Sequence, residues 1–220
     1  MDLCMSFKNF FFFLIGVSLR SFSGNLNKLF PSKHRPIINI TDKINLNYIK
    51  LIGENGILFD PDIVIKPGFY IAGIKYKINI EYDRQFYEAN QKGNDFYYNR
   101  RHEIDNILYP DIYIGLVDYK TDDIAYSFYM PSVQVSMPGR LPEDIICHKV
   151  PTNKYAVFKY IGLHHARNTN IKSLYDTFKY IYMEWLPKSG YSQSAPYHFE
   201  KLDESVSRED YCEVELYIPI

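Results

Sequence analysis

The segment NIKSLYDTFKYIYMEWLP (Asn170–Pro187) decides how the C-terminal third of this chain folds. Asn170 stands at the position of an N-cap, and Pro187 followed by Gly190 ends the segment. Between these signals, apolar residues recur at the i, i+3, i+4, i+7 spacing of an amphipathic helix. They are Ile171, Leu174, Tyr175, Phe178, Ile181, Tyr182 and Trp185.

Strand-like runs flank this predicted helix on both sides. KYAVFKYIG (Lys154–Gly162) precedes it, and YHFEKLD (Tyr197–Asp203) and CEVELYIPI (Cys212–Ile220) follow it. The order strand, helix, strand, strand is typical of α+β domains, in which a helix lies on one face of an antiparallel sheet. The C-terminal third therefore predicts one such unit.

The same order of elements occurs earlier in the chain. The predicted elements there are an alternating strand (Gly68–Ile80), a helix within Glu81–Leu108 that is interrupted at Gly93, and a hairpin (Asp111–Tyr119 and Ala125–Val135). The sequence thus predicts an α+β fold of two strand-helix-strand-strand repeats, Gly68–Val135 and Ile145–Ile220. We expect them to form a pseudo-symmetric antiparallel sheet with helices on one face and a ligand groove on the other.

Composition limits the classes of function. The 25 Lys and Arg residues balance 26 Asp and Glu residues, so nothing indicates a protein that coats nucleic acid. The 21 Tyr and 15 Phe residues suit a cleft that is apolar yet wettable, because Tyr joins a large apolar ring to a hydroxyl. Cys4, Cys147 and Cys212 show no CxxC spacing and indicate reduced thiols in a reducing compartment.

Four motifs carry a resemblance to a known family. "KYAVFKYIG", "YIYMEWLPKSGY", "FEKLD" and "EVELYIPI" resemble, in this order and spacing, the C-terminal half of the GyrI-like, or AraC effector-binding, domain family. The resemblance extends upstream to about Asp60. It implies a small-molecule-binding domain related to the sensory half of a bacterial, cytoplasmic AraC-type transcriptional regulator, with a hydrophobic or cationic ligand and no cofactor.

The last strand carries the candidate acidic residue. Its side chains alternate, so Val214, Leu216 and Ile218 should pack under the helices, with Glu213, Glu215 and Tyr217 on the opposite face. If that face is solvent, both glutamates are ordinary surface residues. If it is the groove, a partly desolvated carboxylate there favours a cation. The resemblance implies that Glu215 is the ligand-binding glutamate, with Glu213 secondary.

Aromatic residues complete the predicted binding site. Trp185 has two interpretations that both stay open, a core residue or the edge of the pocket. Tyr217, Tyr160 and Tyr113 are expected to contribute to the aromatic groove.

Other chemistry is weakly supported by the sequence. His164 and His165 suggest a metal site with His148 or Cys147, but adjacent histidines point in different directions and no third ligand has a recognisable spacing. We therefore predict no metal site. The sequence contains no nucleophile elbow, P-loop, GxGxxG or HExxH, and predicts a non-enzymatic protein. Two alternatives remain: a GyrI-like hydrolase of small reactive compounds with the groove glutamate as general base, and a DNA gyrase inhibitor.

The N-terminal part predicts a separate organisation. Residues 1–36 resemble the degenerate remnant of an AraC-type DNA-binding domain, although the apolar run Phe10–Val17 also fits a signal peptide. That run is too short to cross a bilayer as a helix. Residues 37–59 are a connector, and 60–220 form the effector-binding domain. DNA contact would then need a domain that is absent or incomplete here. Formation of a homodimer is a possibility that the sequence leaves open. Residues 1–36 should be dispensable for folding and ligand binding.

Overall fold

An antiparallel sheet runs through the computed structural model, which describes residues 49–53, 55–119 and 123–220. The predictions for residues 1–36, a DNA-binding remnant or a signal peptide, lie outside these described residues. The strands are β1 (Ile49–Ile52), β2 (Gly56–Phe59), β3 (Asp62–Lys66), β4 (Phe69–Gly73), β5 (Tyr76–Asn79), β6 (Ile112–Asp118), β7 (Tyr126–Val135), β8 (Ile146–Val150), β9 (Asn153–Gly162), β10 (Tyr197–Asp203) and β11 (Cys212–Pro219).

Among the described residues, α-helices occur in two places, and two further 3₁₀ turns lie at Ala166–Asn168 and Glu204–Val206. The first group is α1 (Ile80–Phe86) and α2 (Glu88–Asp95), which continues as a π-helical turn (Phe96–Arg100) and a 3₁₀ turn (Arg101–Glu103). The second is α3 (Tyr175–Tyr180), which continues as a π-helical turn (Ile181–Trp185) and a last α-helical turn, α4 (Leu186–Lys188). No described helix has the length and apolar character that a membrane span requires.

The predicted fold class, α+β, is confirmed, and so is the repeated order of elements. Across the sheet the strands follow the order β1-β2-β9-β11-β10-β6-β7-β4-β8, while β3 also pairs with β9 and β5 with β7. One repeat contributes β9, β11 and β10, and the other contributes β6, β7 and β5. The repeats therefore meet where β6 pairs with β10, an antiparallel pairing that places Gly115 opposite Glu200.

The helix boundaries differ from the predicted ones for local reasons. Asn170 acts as a cap, since its side chain accepts hydrogen bonds from the backbone N–H groups of Lys172 (3.0 Å) and Ser173 (3.1 Å), yet regular helix begins only at Tyr175. In the first repeat, the helical segment is interrupted at Tyr87, which adopts a left-handed conformation (φ 56°), and not at Gly93.

The face of the sheet under the helices carries the larger core. Alternation places Val214, Leu216 and Ile218 there, all fully buried, as predicted. The strand predicted at Gly68–Ile80 is divided into β4 and β5, but its alternation is also confirmed. The residues that pack into this core from β4, β5 and the link between them are Tyr70, Ala72, Ile74, Tyr76 and Ile78.

A second core lies on the face that carries no described helix. The link between β3 and β4 explains it: only Pro67 and Gly68 separate β3, which pairs with β9, from β4, which pairs with β7. The three Cα steps from Lys66 to Phe69 span at most about 11 Å, so the sheet must curl and bring these strands together. The curled face encloses Phe69, Ile71, Ile114, Leu116, Met130, Val150, Tyr155, Phe199 and Tyr217.

Replacement of Phe199 by alanine tests whether this second core stabilises the fold. Phe199 is 1% exposed, and its ring stacks on Tyr217 with centroids 4.4 Å apart. We expect Phe199→Ala to lower the free energy of unfolding by about 3–5 kcal/mol, because a large buried ring leaves a cavity. Urea unfolding followed by circular dichroism measures this. Ile124→Ala, at a side chain 98% exposed, is the matched control and should change little; an equally small loss at Phe199 would contradict the second core.

Candidate ligand-binding site

A cavity of about 480 Å³ lies on the helix-bearing face, where the two repeats meet. Its walls come from α1 and α2 of the first repeat and from α3 and the turn before it in the second. Its floor comes from helix-facing residues of β5, β6, β7 and β10. The residues that line it are Ile78, Ile80, Asp83, Arg84, Ala89, Asn90, Val117, Tyr119, Ser127, Tyr129, Thr169, Asn170, Ile171, Leu174, Tyr175, Phe178, Lys179, Tyr182, Met183, His198 and Glu200.

Glu200 is the carboxylate on the floor of this cavity. It projects from β10 above Gly115 of β6, and a Cβ at position 115 would lie 2.5 Å from Glu200 Oε1. A side chain at position 115 would therefore force the Glu200 carboxyl group to move. Tyr129 donates a hydrogen bond to Glu200 Oε1 (3.3 Å), and the hydroxyls of Tyr129 and Tyr113 are hydrogen-bonded to each other.

The charge state of Glu200 is set by its burial. Burial is the main reason that its pKa is raised to about 7; the Tyr129 hydrogen bond opposes this shift, and the negative charge of Asp83 adds to it. Within the described ranges, no Lys, Arg or His forms an ion pair with Glu200. The cavity thus holds a carboxyl group that changes charge near neutral pH and has no counter-ion among the described residues.

His198 lies two residues before Glu200 on the same face of β10. Its ring packs against Phe178 (centroids 4.9 Å apart), and its Nδ1 is hydrogen-bonded to the Tyr119 hydroxyl at 3.0 Å. Burial lowers the pKa of His198 to about 4, so the imidazole is neutral at physiological pH. His198 therefore supplies no positive charge to neutralise Glu200.

Asp83 is the second acidic side chain in the cavity wall, and it has a structural partner. It is buried on α1, and its Oδ1 accepts a hydrogen bond from the backbone N–H of Ala89 (2.7 Å) across the interruption at Tyr87. Burial raises the pKa of Asp83 against the opposing effect of this bond. The positive side chains in the lining, Arg84 and Lys179, lie on the helices and not on the floor.

The structure places the predicted acidic residues away from this cavity. The repeats predict a groove on the face without helices. The cavity lies on the opposite face, because the curling of the sheet closes the face without helices. Glu215 there pairs with Lys201 (3.0 Å) and accepts a hydrogen bond from Tyr217 (2.8 Å). Glu213 lies 3.5 Å from Lys159 and accepts a hydrogen bond from Tyr211.

The predicted aromatic residues are dispersed. Tyr217 belongs to the second core, and Trp185 packs edge-on against Phe158 with centroids 5.0 Å apart, outside the cavity lining. Tyr160 is buried and donates a hydrogen bond to the Asn55 carbonyl (2.7 Å). Of the six residues that the sequence predicted for the binding site, Tyr113 is the one that is hydrogen-bonded to a residue of the cavity lining, Tyr129.

Sequence reasoning missed Glu200, although a signal was present. In YHFEKLD, His198, Glu200 and Leu202 alternate with Tyr197, Phe199 and Lys201, so both faces of the strand are partly apolar. Periodicity alone cannot tell which face lies under the helices. The metal hypothesis finds no support in the described residues, where no cluster of three His, Cys, Asp or Glu side chains occurs.

Comparison with known proteins agrees with the resemblance noted in the sequence. A family model described as integron-associated effector binding protein matches residues 62–220. The transcriptional regulator BrlR of Pseudomonas aeruginosa is 26% identical over 162 residues, which cover 72% of this chain and 54% of BrlR. The chain thus spans about half the length of this curated relative.

Solved structures share the fold. A Staphylococcus aureus MU50 protein described as a bacterial transcription regulation protein is 13% identical, with a TM-score of 0.50 over 73% of this chain and 99% of that chain. SAV2435 bound to tetraphenylphosphonium is 12% identical, with a TM-score of 0.51 over 73% of this chain and 94% of that chain. At such identities the likeness concerns the fold alone. The GyrI-like character expected from the sequence is confirmed.

Neutralisation of Glu200 should stabilise the empty protein. Between the ordinary carboxyl pKa of 4.5 and the folded-state value of about 7, the folded protein holds a proton that the unfolded chain has lost, so stability falls as the pH rises through this window. We expect Glu200→Gln to raise the free energy of unfolding at pH 8 by about 1–3 kcal/mol and to flatten its pH dependence between 4.5 and 7. Urea unfolding at several pH values measures both effects. A variant less stable than the parent at pH 8 would contradict the assignment.

Proposed function

The chain belongs to the family of integron-associated effector binding proteins, and on this premise we propose that it binds a hydrophobic, cationic small molecule in the cavity above Glu200. The single observation that carries the proposal is a buried carboxyl group at the floor of an apolar, aromatic cavity, with no counter-ion in the part of the chain that the structure describes. A cation that fills the space would provide that counter-ion. Its apolar groups would contact Leu174 and Phe178.

The size and chemistry of the cavity support this class of ligand. A volume of about 480 Å³ lies within the range of small-molecule sites, and aromatic side chains in the wall suit cations because a ring face attracts positive charge. Tyr119, Tyr129, Phe178 and Tyr182 supply such rings. An anionic ligand would be repelled by Glu200 and Asp83 together, and a purely apolar one would leave Glu200 without a partner.

In this proposal the domain is the sensory part of a transcriptional regulator. BrlR is a transcriptional regulator, and this chain matches about half of its length. DNA contact would belong to another part of such a regulator. The family resemblance implies an AraC-type regulator, a cytoplasmic location and a role in multidrug sensing, and these remain expectations, as does the inhibition of DNA gyrase.

Tetraphenylphosphonium is the probe that tests the proposal, because it is hydrophobic and permanently cationic. SAV2435 binds it. We expect it to stabilise the protein in a thermal-shift assay, by about 2.7 kcal/mol at a concentration 100 times the dissociation constant. Glu200→Gln should weaken binding by about tenfold or more, since the variant keeps the shape of the cavity and loses the charge.

Glu215→Gln provides the matched control. This glutamate is the one indicated by the sequence, and it pairs with Lys201 on the opposite face of the sheet. We expect its replacement to leave the affinity for tetraphenylphosphonium unchanged. If Glu215→Gln weakens binding and Glu200→Gln does not, the binding site lies on the other face and the proposal is wrong.

Hydrolysis is the second candidate, and one observation favours it. A carboxyl group with a pKa of about 7 beside a tyrosine hydroxyl has the properties of a general base. We expect binding without chemistry, and hence no turnover of an activated ester such as p-nitrophenyl acetate above that of Glu200→Gln. Absorbance at saturating ester measures the rate. Turnover that disappears in Glu200→Gln while tetraphenylphosphonium still competes for the site would instead establish a hydrolase.

A further inference from the structure

Glu200 also borders a second, much smaller pocket. Its volume of about 30 Å³ is enough for a single water molecule. Glu200 and Tyr129 line both this pocket and the large cavity, so the carboxyl group lies where the two spaces meet. The outer side of the pocket is formed by Tyr98 and Arg167, which are both exposed, so it opens to the protein surface.

Two tyrosine hydroxyls connect Glu200 to the small pocket. Tyr129 is hydrogen-bonded to Glu200 Oε1 at 3.3 Å and also to Tyr113, whose ring lines the small pocket and not the large cavity. Helix α2 packs directly on this pair at Gly93, where a Cβ would lie 2.7 Å from Tyr113 Oη and 3.1 Å from Tyr129 Oη. The hydroxyls are thus confined between helix and sheet in one arrangement.

The wall between the two spaces is held by a side-chain amide. Asn90 Nδ2 donates to the carbonyls of Thr169 (2.7 Å) and Arg167 (2.9 Å), and this ties α2 to the loop before α3. Asn94 Nδ2 donates to the same Arg167 carbonyl at 2.9 Å. A ligand in the large cavity would cover Glu200 from one side, while this wall keeps the small pocket open on the other.

A cation gains little from a protonated carboxyl group, since the partner charge is missing. It gains a full ion pair if the proton leaves, and the net charge of the buried site then stays constant during binding. We propose that the ligand cation displaces the proton of Glu200, and that Tyr129 and Tyr113 pass this proton to water in the small pocket. This inference rests on the proposed function and states how the same site is regulated by pH.

The transfer is balanced at each step. The O–H bond of the Glu200 carboxyl group breaks as a bond forms to Tyr129 Oη, and Tyr129 gives its own proton to Tyr113 Oη. Tyr113 gives its proton to water, which passes it to the solvent buffer. Each tyrosine loses one proton and gains another, so both end as neutral phenols, because burial raises the pKa of each phenol well above its ordinary value and disfavours the phenolate.

The other groups that face Glu200 leave this assignment intact. His198 and Tyr119 remain neutral, since burial lowers the pKa of the first and raises that of the second. The negative charge of Asp83 favours the protonated form of Glu200. The remaining charged side chains in the linings of the two spaces are Arg84, Lys179, Arg167 and Glu204.

Isothermal titration calorimetry with tetraphenylphosphonium tests the exchange. The probe cannot titrate, so any proton comes from the protein, and titrations in buffers of different ionisation enthalpy count it. We expect about half a proton released per ligand at pH 7, close to one at pH 5.5 and almost none at pH 9. Affinity should rise about tenfold from pH 5 to pH 6 and change little above pH 8.

The outcomes separate the two proposals. Binding heat that is independent of the buffer at pH 5.5–7 would overturn the exchange and leave the proposed function standing. Absence of binding would overturn both. Glu200→Gln should release no proton, and a release equal to that of the parent protein would show that another group titrates, which also overturns the exchange.

Stopped-flow mixing with a pH indicator tests the route. Tyr113→Phe breaks the chain after Tyr129 and keeps the hydrogen bond to Glu200, so proton release should lag behind ligand binding while its final amount is unchanged. Tyr155→Phe is the matched control, because it removes a hydroxyl that bonds to Tyr197 (2.7 Å) on the opposite face. Release as fast in Tyr113→Phe as in Tyr155→Phe would overturn the relay. If Tyr113→Phe does not fold, Tyr129→Phe interrupts the relay one step earlier. Because it also removes the hydrogen bond to Glu200, its proton release is compared with its own rate of ligand binding, and release without a lag would overturn the relay.

Discussion

The pairing of β6 with β10 is the constraint on which the rest of the structure depends. It joins the two repeats through a continuous antiparallel register from Ile112 to Asp118, and it places Gly115 under the side chain of Glu200. The helices of the two repeats lie on the same face, and the cavity remains between them above this seam. A shift of the register by one residue would turn Glu200 to the other face, so fold and site are specified together.

Acidic residues on the two faces of the sheet have different partners, and their pKa values shift in opposite directions. Glu215 has a lysine and a tyrosine hydroxyl as partners, and its pKa is lowered despite the cost of burial. Glu200 has one tyrosine hydroxyl and no cation among the described residues, so burial dominates and its pKa is raised. A satisfied ion pair stabilises the protein itself. An unsatisfied carboxyl group costs stability in the empty protein, and that cost can be recovered when a ligand binds.

The second core holds β10 in place, and β10 carries two residues of the cavity floor. Phe199 lies between His198 and Glu200 on β10 and points into that core, where Tyr155 and Tyr217 pack against it. His198 and Glu200 on the cavity floor are thus flanked by a side chain anchored on the other face. The helical walls are less regular, since α3 passes into a π-helical turn at Ile181–Trp185, a feature frequent at functional sites.

Periodicity in the sequence by itself determined the α+β class, the two repeats and the inward face of β11, because alternation along a strand and the 3.6-residue stripe of a helix are local properties. The four motifs also identified the family. Only the tertiary structure decided which glutamate faces the cavity. Glu200 and Glu215 both alternate with apolar neighbours, and their roles differ because Lys201 lies beside one, while the other lies beneath the gap between helices from distant parts of the chain. Contacts between residues that are far apart in the sequence produce no periodic pattern, so the sequence alone does not predict them.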